Sequence, residues 1–473
     1  MKLFKNPATM KKFIYISLFI FHSAIFAKEQ ETTESFAATV SQLNDVSKLW
    51  EMVNEQAKAN DYTNYETVLK RLVELRPFNP DLQFLLVKAY ALQDKKSEAY
   101  NTLIEMQKAG LSYPVGDNKD FDNIRGTGVF GYIEENMIAN ANPYGEGVKA
   151  FEISQNYSGM LFENFAHDKA ADRFLLGSAR SGDIYQYSEK NGFKSFIDKG
   201  NPATGPWGVI DLVADNKADL LWVASATLPH YSGTTQANFG RAMISKYRLS
   251  SGELLKNYAM SGNNQPMLFN NLHITDGQNL YFMNAFSNEL FRIKKGTETV
   301  EPLLSLRGLN TLKAITSNDK ETLLYLSDFE LGLFVVNLET LQLAPLNPSG
   351  KGFFAGINDL FYDNGDLIAI QSGVKPARLM RYVLKEDLLL VNMFPIEASN
   401  ENFKALGNGV LVGEHVYYAA NSQWSKVDSL GRLLPENMWE PLVIIKSDTK
   451  YKMDEHMERM ERLEEIKKKR GLK

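Results

Sequence analysis

Six times between Met160 and Gln423 the chain repeats one pattern. A short apolar segment runs into a turn rich in Asp, Asn or Gly, and a second strand-like segment follows that ends on a small or polar residue. The clearest copies read FAHDKAADRFLLGSARSGDIYQY, DLVADNKADLLWVASA, LHITDGQNLYFMNAFSNELFRI, AITSNDKETLLYLSDFELGLFVV, DLFYDNGDLIAIQSG and GNGVLVGEHVYYAANSQWSKV. They recur at intervals of roughly forty to sixty residues, a spacing typical of arrays of small sheets. One such sheet cannot bury both of its faces, but six packed radially around an axis can. The expected fold class is mainly β: a six-bladed β-propeller joined to a small N-terminal α-helical repeat domain.

The chain has 473 residues, 44% of them hydrophobic and 23% charged, which suits a folded protein of two or three domains. A net charge of -5 argues against a nucleic-acid partner. The absence of cysteine excludes disulfides, a thiol nucleophile and a thiolate metal site, and it suits an oxidising compartment. Lys2, Lys5, Lys11 and Lys12 precede the uncharged run FIYISLFIFHSAIFA, which is too short for a comfortable membrane span. This reads as a signal peptide over residues 1–27, cleaved after Ala27, and hence an exported protein, periplasmic or secreted. The competing reading is an uncleaved anchor. No other segment is apolar for long enough to span a bilayer, so no integral membrane span is expected after cleavage.

After a polar linker at 28–45, the apolar period becomes helical. Trp50 matches Phe84, Val53 matches Val87, Ala57 matches Ala91, Leu69 matches Leu103, Leu72 matches Met106 and Pro80 matches Pro114, each pair thirty-four residues apart. That is the period of helix-turn-helix units resembling tetratricopeptide repeats. The segment VFGYIEENM is expected to cap them, so the helical domain is assigned to 46–138. It serves either as a partner groove or as a packing platform. Residues 139–147, with NANPYGEG, read as a linker. The propeller is assigned to 148–447. VKAFEIS near its start and PLVIIKS near its end compete to close the last blade. Residues 448–473 form a charged C-terminal tail, expected to be a solvated helix or disordered.

In a radial array the first strand of each sheet lines the axis. Polar residues near the start of those strands are therefore the candidates for chemistry: Glu163, Asp211, Asn271, Lys313, Asn358 with Asp359, and Asn408. His273, two residues beyond Asn271, shares its face of the strand. Carboxylate and amide oxygens are hard donors that suit calcium, magnesium or manganese. Glu163, Asn271 and Asp359 would supply three of them. Any single Asp or Asn here equally serves to cap a turn, and the ammonium of Lys313 would repel a cation. The segment LPHYSGTTQANFGR (Leu228 to Arg241) is expected to cover the channel mouth, and Trp207, Tyr231, Phe239 and Trp424 would wall a ligand or pack between blades. The sequence contains no Gly-x-Ser-x-Gly elbow, phosphate loop or dinucleotide fingerprint.

The stretches FENFAHDKAADRFLLGSARSGDIYQY, NNLHITDGQNLYFMNAFSNELFRI and INDLFYDNGDLIAIQSGVKPARLMRY resemble the senescence-marker-protein/gluconolactonase-like superfamily of six-bladed propellers, and more distantly NHL-type propellers. The resemblance covers about Gly159 to Ser447. It implies one divalent cation held at the channel centre by Glu163, Asn271 and Asp359, and opening of lactones or related esters. Two readings follow. In the first, the exported protein binds a small molecule or a protein partner at the channel mouth, without a cofactor. In the second, it is a divalent-cation-dependent lactone or ester hydrolase of gluconolactonase type. The sequence names neither a catalytic residue nor a substrate.

Overall fold

The computed structural model describes residues 35–451, apart from 202, 260–264, 298 and 347–351. The expected signal peptide and most of the charged tail lie outside the described residues. The chain divides into two compact units. One comprises the residues up to Met106 together with Pro114–Glu135. The other comprises Gln107–Tyr113 and everything from Asn136 onward. The short segment at 107–113, read from the sequence as part of the helical domain, therefore belongs with the β-unit.

The first unit opens with helical residues 35–41 (α1), followed by α2 (Val46–Ala59), α3 (Tyr62–Leu75), α4 (Pro80–Leu92) and α5 (Lys96–Lys108), the last of which ends in the other unit. α2 and α4 begin thirty-four residues apart, as do α3 and α5. Capping explains where they start. Asp45 accepts from the Lys48 N–H at 3.1 Å, Asp61 from Asn64 at 3.0 Å and Asn79 from Leu82 at 3.1 Å, each satisfying an amide that has no partner within its helix. Val53 and Val87, Leu69 and Leu103, and Leu72 and Met106 are buried. Trp50 is 37% exposed. It lies on α2. Phe84, Phe121 and Phe130 pack in series as tilted ring pairs at centroid distances of 5.8 and 6.1 Å. Phe130 belongs to α6 (Gly128–Asn140), whose last turn lies in the other unit.

The second unit is a six-bladed β-propeller. After β1 (Val148–Ile153), the first blade is β2 (Phe162–Asp168), β3 (Arg173–Ser178), β4 (Ile184–Ser188) and β5 (Gly192–Ile197). The second is β6 (Gly208–Asp215), β7 (Leu220–Ala226), β8 (Ala242–Arg248) and β9 (Leu254–Ala259). The third is β10 (Phe269–Ile274), β11 (Leu280–Asn284), β12 (Glu289–Ile293) and β13 (Glu301–Ser305). The fourth is β14 (Leu312–Ser317), β15 (Leu323–Asp328), β16 (Gly332–Asn337) and β17 (Leu343–Pro345). The fifth is β18 (Ile357–Asp363), β19 (Asp366–Gln371), β20 (Arg378–Lys385) and β21 (Leu389–Ala398). The sixth has the order β22 (Gly409–Val412), β23 (His415–Ala419), β24 (Leu442–Asp448), β1.

Both closing segments are thus used. PLVIIKS supplies β24, the third strand of the last blade, and VKAFEIS supplies its outermost strand, antiparallel to β24. Joining the two ends of the array in one sheet leaves no open blade edge between them. The inner strands touch in a closed ring, β2–β6–β10–β14–β18–β22 and back to β2. Apolar faces pack from blade to blade: Leu175 of the first shares a core with Val209, Leu221 and Val223 of the second. Among the described residues, no helix is long and apolar enough to cross a membrane.

Candidate functional site

The ladder between the inner strand and its neighbour slips at one level in five of the six blades. The breaks fall between Phe162 and Phe165, Val209 and Asp211, Asn270 and His273, Leu312 and Ala314, and Ile357 and Asp359. In the sixth blade Asn408 stands directly before β22. Residues released by these bulges are Glu163 and Asn164, Ile210, Asn271 and Leu272, Lys313 and Asn358. A bulge frees a residue from pairing and re-aims its side chain, which is why polar groups recur at this depth. Asn271 adopts φ 54°, a left-handed conformation that Asn tolerates better than most residues.

A cavity of about 570 Å³ runs along the axis. Asp211, Asn271, His273, Lys313, Asp359 and Asn408 all line it, so six of the eight sequence-predicted site residues converge on one space. Glu163 and Asn358 do not line it. Glu163 presents both carboxyl oxygens to Ser422 Oγ, at 3.0 Å each, and Asn358 accepts from Ser372 and donates to the Leu406 carbonyl.

Much of the polar set stitches blade to blade. Asp211 accepts from Leu272 N–H at 2.7 Å and Leu212 N–H at 2.8 Å, with a further bond from the Asn271 backbone N–H. Asp359 accepts from Leu360 at 2.9 Å and Gly409 at 3.0 Å. Asn408 donates to Asn164 Oδ1 at 2.6 Å, and Asn164 donates to the Ile210 carbonyl at 2.5 Å. Burial still dominates the titration of the carboxyls. It pushes Asp211 and Asp359 up to about 7, and Asp211 adds to the rise at Asp359 by repulsion. Glu163 is pushed up to about 8 by burial, against the Ser422 and Gln423 hydrogen bonds and the charge of Lys313. His273 is pulled down to about 4 by burial and is therefore neutral, with Nε2 2.8 Å from Ser317 Oγ.

Two groups in the channel are left with unused capacity. Asn271 Nδ2 is buried with no acceptor among the described residues. Lys313 is exposed within the cavity lining, and its ammonium stands 6.0 Å from the Phe329 ring.

The three residues expected to share a dication differ in their surroundings. Asn271 and Asp359 line the cavity, while Glu163 is turned to Ser422. Among the described residues, no three His, Asp or Glu side chains come together as a group able to hold a metal ion. The oxygen donors that do share the cavity are Asp211, Asp359 and the amides of Asn271 and Asn408.

The loop at Leu228–Arg241 joins β7 to β8, at the end of the blade where the inner strands begin. It meets the corresponding loops of the first and sixth blades. Arg180 Nη1 donates to the His230 carbonyl at 3.0 Å and the Gly431 carbonyl at 3.1 Å, and His230 packs edge-on against Trp424 at 5.4 Å. Trp207 and Tyr231 cluster with Met243 rather than walling the cavity, and Phe239 is 52% exposed.

Sequence reading missed Asn164, which lines the cavity, and Ser422, which holds Glu163. The first had a signal, since it forms a polar doublet with Glu163. Ser422 had none, because its partner Glu163 is 259 residues away.

No family model matches the chain, and no curated protein does. Solved structures with a similar fold include the PQQ-bound aldose sugar dehydrogenase of Streptomyces coelicolor, at 13% identity and TM-score 0.42, covering 65% of this chain and 99% of that one. Regucalcin, a calcium-binding protein of Agrobacterium tumefaciens, is similar at 13% identity and TM-score 0.44 over 63% of this chain and 95% of its own. A streptogramin B lyase is similar at 12% identity and TM-score 0.39 over 57% and 79%. At such low identity and TM-score, no activity or ligand carries over from these proteins.

Proposed function

We propose that the protein binds a small, oxygen-rich molecule in the axial cavity of its propeller. The observation that supports this most directly is Lys313: an ammonium on the cavity lining with no ion pair among the described residues, in a cavity that the unsatisfied side-chain amide of Asn271 also lines. Both are donors, so the complementary ligand presents carboxylate, carbonyl or hydroxyl oxygens. The volume is that of an ordinary small-molecule site. The helical unit, with its period of thirty-four, serves as an interaction or packing module of tetratricopeptide type. The basic and apolar start of the chain makes this an exported protein, periplasmic or secreted. N-terminal sequencing of exported material should begin near Lys28, and an intact Met1 there would replace cleavage with an anchor.

A second reading, a divalent-cation-dependent lactone or ester hydrolase, is favoured by one feature. Asp211 and Asp359 repel each other across the cavity, and a cation would relieve that repulsion. One series of melting curves separates the readings. Sugar acids and lactones should raise the melting temperature of the wild type and not of Lys313→Met, because only native-state binding stabilises. If instead calcium or manganese raises it, chelator reverses the gain and Asp359→Asn abolishes it, the cation reading replaces the first. If neither oxygen-rich molecules nor cations shift the curve, the cavity is not a ligand site.

A further inference from the structure

Buried arginines in the propeller otherwise find carboxylates. Arg173 pairs with Asp168 at 2.9 Å, and Arg381 pairs with Asp363 at 2.5 Å and Asp366 at 2.9 Å. Arg378 does not. It is 3% exposed at the start of β20, and it bonds to two neutral groups. Nε donates to Gln371 Oε1 at 2.7 Å, and Nη1 donates to the Ala109 carbonyl at 2.6 Å. Gln371 cannot turn away, since its amide nitrogen is committed to the carbonyls of Phe353 at 2.7 Å and Ala355 at 2.8 Å. A guanidinium carries five N–H donors, so three remain without an acceptor among the described residues. The ionisable groups that act on Arg378 are Tyr382 and Tyr113, not an acid.

Arg378 lines a second cavity, of about 390 Å³, within the propeller unit and separate from the axial one. Gln107, Asn140, Tyr144, Met380 and Met393 also line it, and no Asp or Glu does. Gln107 is 7% exposed, and its side-chain carbonyl Oε1 is buried without a donor. The turn that presents it is held by Asn140, whose Nδ2 donates to the Gln107 and Leu111 backbone carbonyls at 2.7 and 2.8 Å. An uncompensated buried charge is costly. Here it faces open space, beside an acceptor that also lacks its partner.

We propose that this second cavity is a site for a small carboxylate that also carries a hydroxyl or amine. The carboxylate pairs with the free N–H groups of Arg378, in the forked geometry a guanidinium favours, and the second group donates to Gln107 Oε1. The 2-hydroxy acids are the simplest molecules with this pair of features.

The test is titration of the full-length protein with lactate at constant ionic strength, followed by calorimetry and melting temperature. Lactate should bind saturably at millimolar concentration. Lactamide, its neutral counterpart, should bind at least about tenfold more weakly, because the charge pair is lost. Measured on a Lys313→Met background, which removes the ammonium of the axial cavity, Arg378→Gln should weaken lactate by a similar factor, so this site fails or stands independently of the other. Should Arg378→Gln not fold, Gln107→Leu serves in its place: it should reduce lactate binding several-fold and leave acetate, which lacks the hydroxyl, unaffected. No saturable response to lactate, equal binding of lactamide, or lactate binding that survives Arg378→Gln would each overturn the assignment.

Discussion

Replacing Glu163 with glutamine should stabilise the protein at pH 9 by on the order of 3 kcal/mol and change little at pH 5. The side chain is partly accessible, but protein atoms surround the carboxyl, and burial raises it to about 8. An unfolded-state Glu titrates near ~4.3. Between those values the native state holds a proton that the unfolded chain has released. Stability from this group is complete below the unfolded value and declines as pH rises, until it is lost above the folded value. Glutamine copies the neutral form and can donate to Ser422 Oγ, which removes the slope. Asp211 and Asp359, raised to about 7, act with the same sign. His230 and His273, lowered to about 4, act with the opposite sign, and their effect ends once the unfolded imidazole is neutral, above ~6.5. The wild type should therefore lose stability most steeply between roughly pH 6.5 and 8. Denaturant midpoints at pH 5, 6.5, 8 and 9 measure this. An E163Q protein that keeps the wild-type slope, or that is less stable at pH 9, would show that Glu163 is ionised in the native state.

Arg381→Ala should cost about 3–5 kcal/mol. The side chain is 1% exposed. Besides Asp363 and Asp366 it binds the Thr449 carbonyl, from Nη2 at 3.1 Å and Nε at 3.3 Å. Asp363 and Asp366 lie on the first two strands of the fifth blade, and Thr449 follows β24 of the sixth, so one guanidinium fastens the closing blade to its neighbour. Alanine leaves two carboxylates in a dry interior with no counter-charge. The triple change Arg381→Met, Asp363→Asn, Asp366→Asn should recover much of the loss, because the penalty comes from the unpaired charges rather than from the missing bonds. Equilibrium unfolding measures both variants. A single-variant loss below about 1 kcal/mol would mean that water reaches these carboxylates in the native state.

Local patterning alone determined a good deal. The six copies between Met160 and Gln423 placed six sheets in order, since alternation and turn chemistry act over a few residues. The period of thirty-four announced paired helical units, and α2 with α4 and α3 with α5 begin thirty-four residues apart, while the caps Asp45, Asp61 and Asn79 emerged only in the structure. The polar residues near the starts of the inner strands could be named, and six of the eight reached one cavity.

What the sequence left open depends on contacts between distant parts of the chain. Ring closure assigned β24 and β1 to adjacent places in one sheet, where either segment alone had looked sufficient. The bulges, set by pairing rather than by composition, turned Glu163 toward Ser422 and left Lys313 on the cavity lining. Arg378 shows the same limit: Ala109, one of its two partners, is 269 residues away. The titration of Glu163, Asp211 and Asp359 is governed by desolvation, which exists only once the six inner strands have closed around the axis.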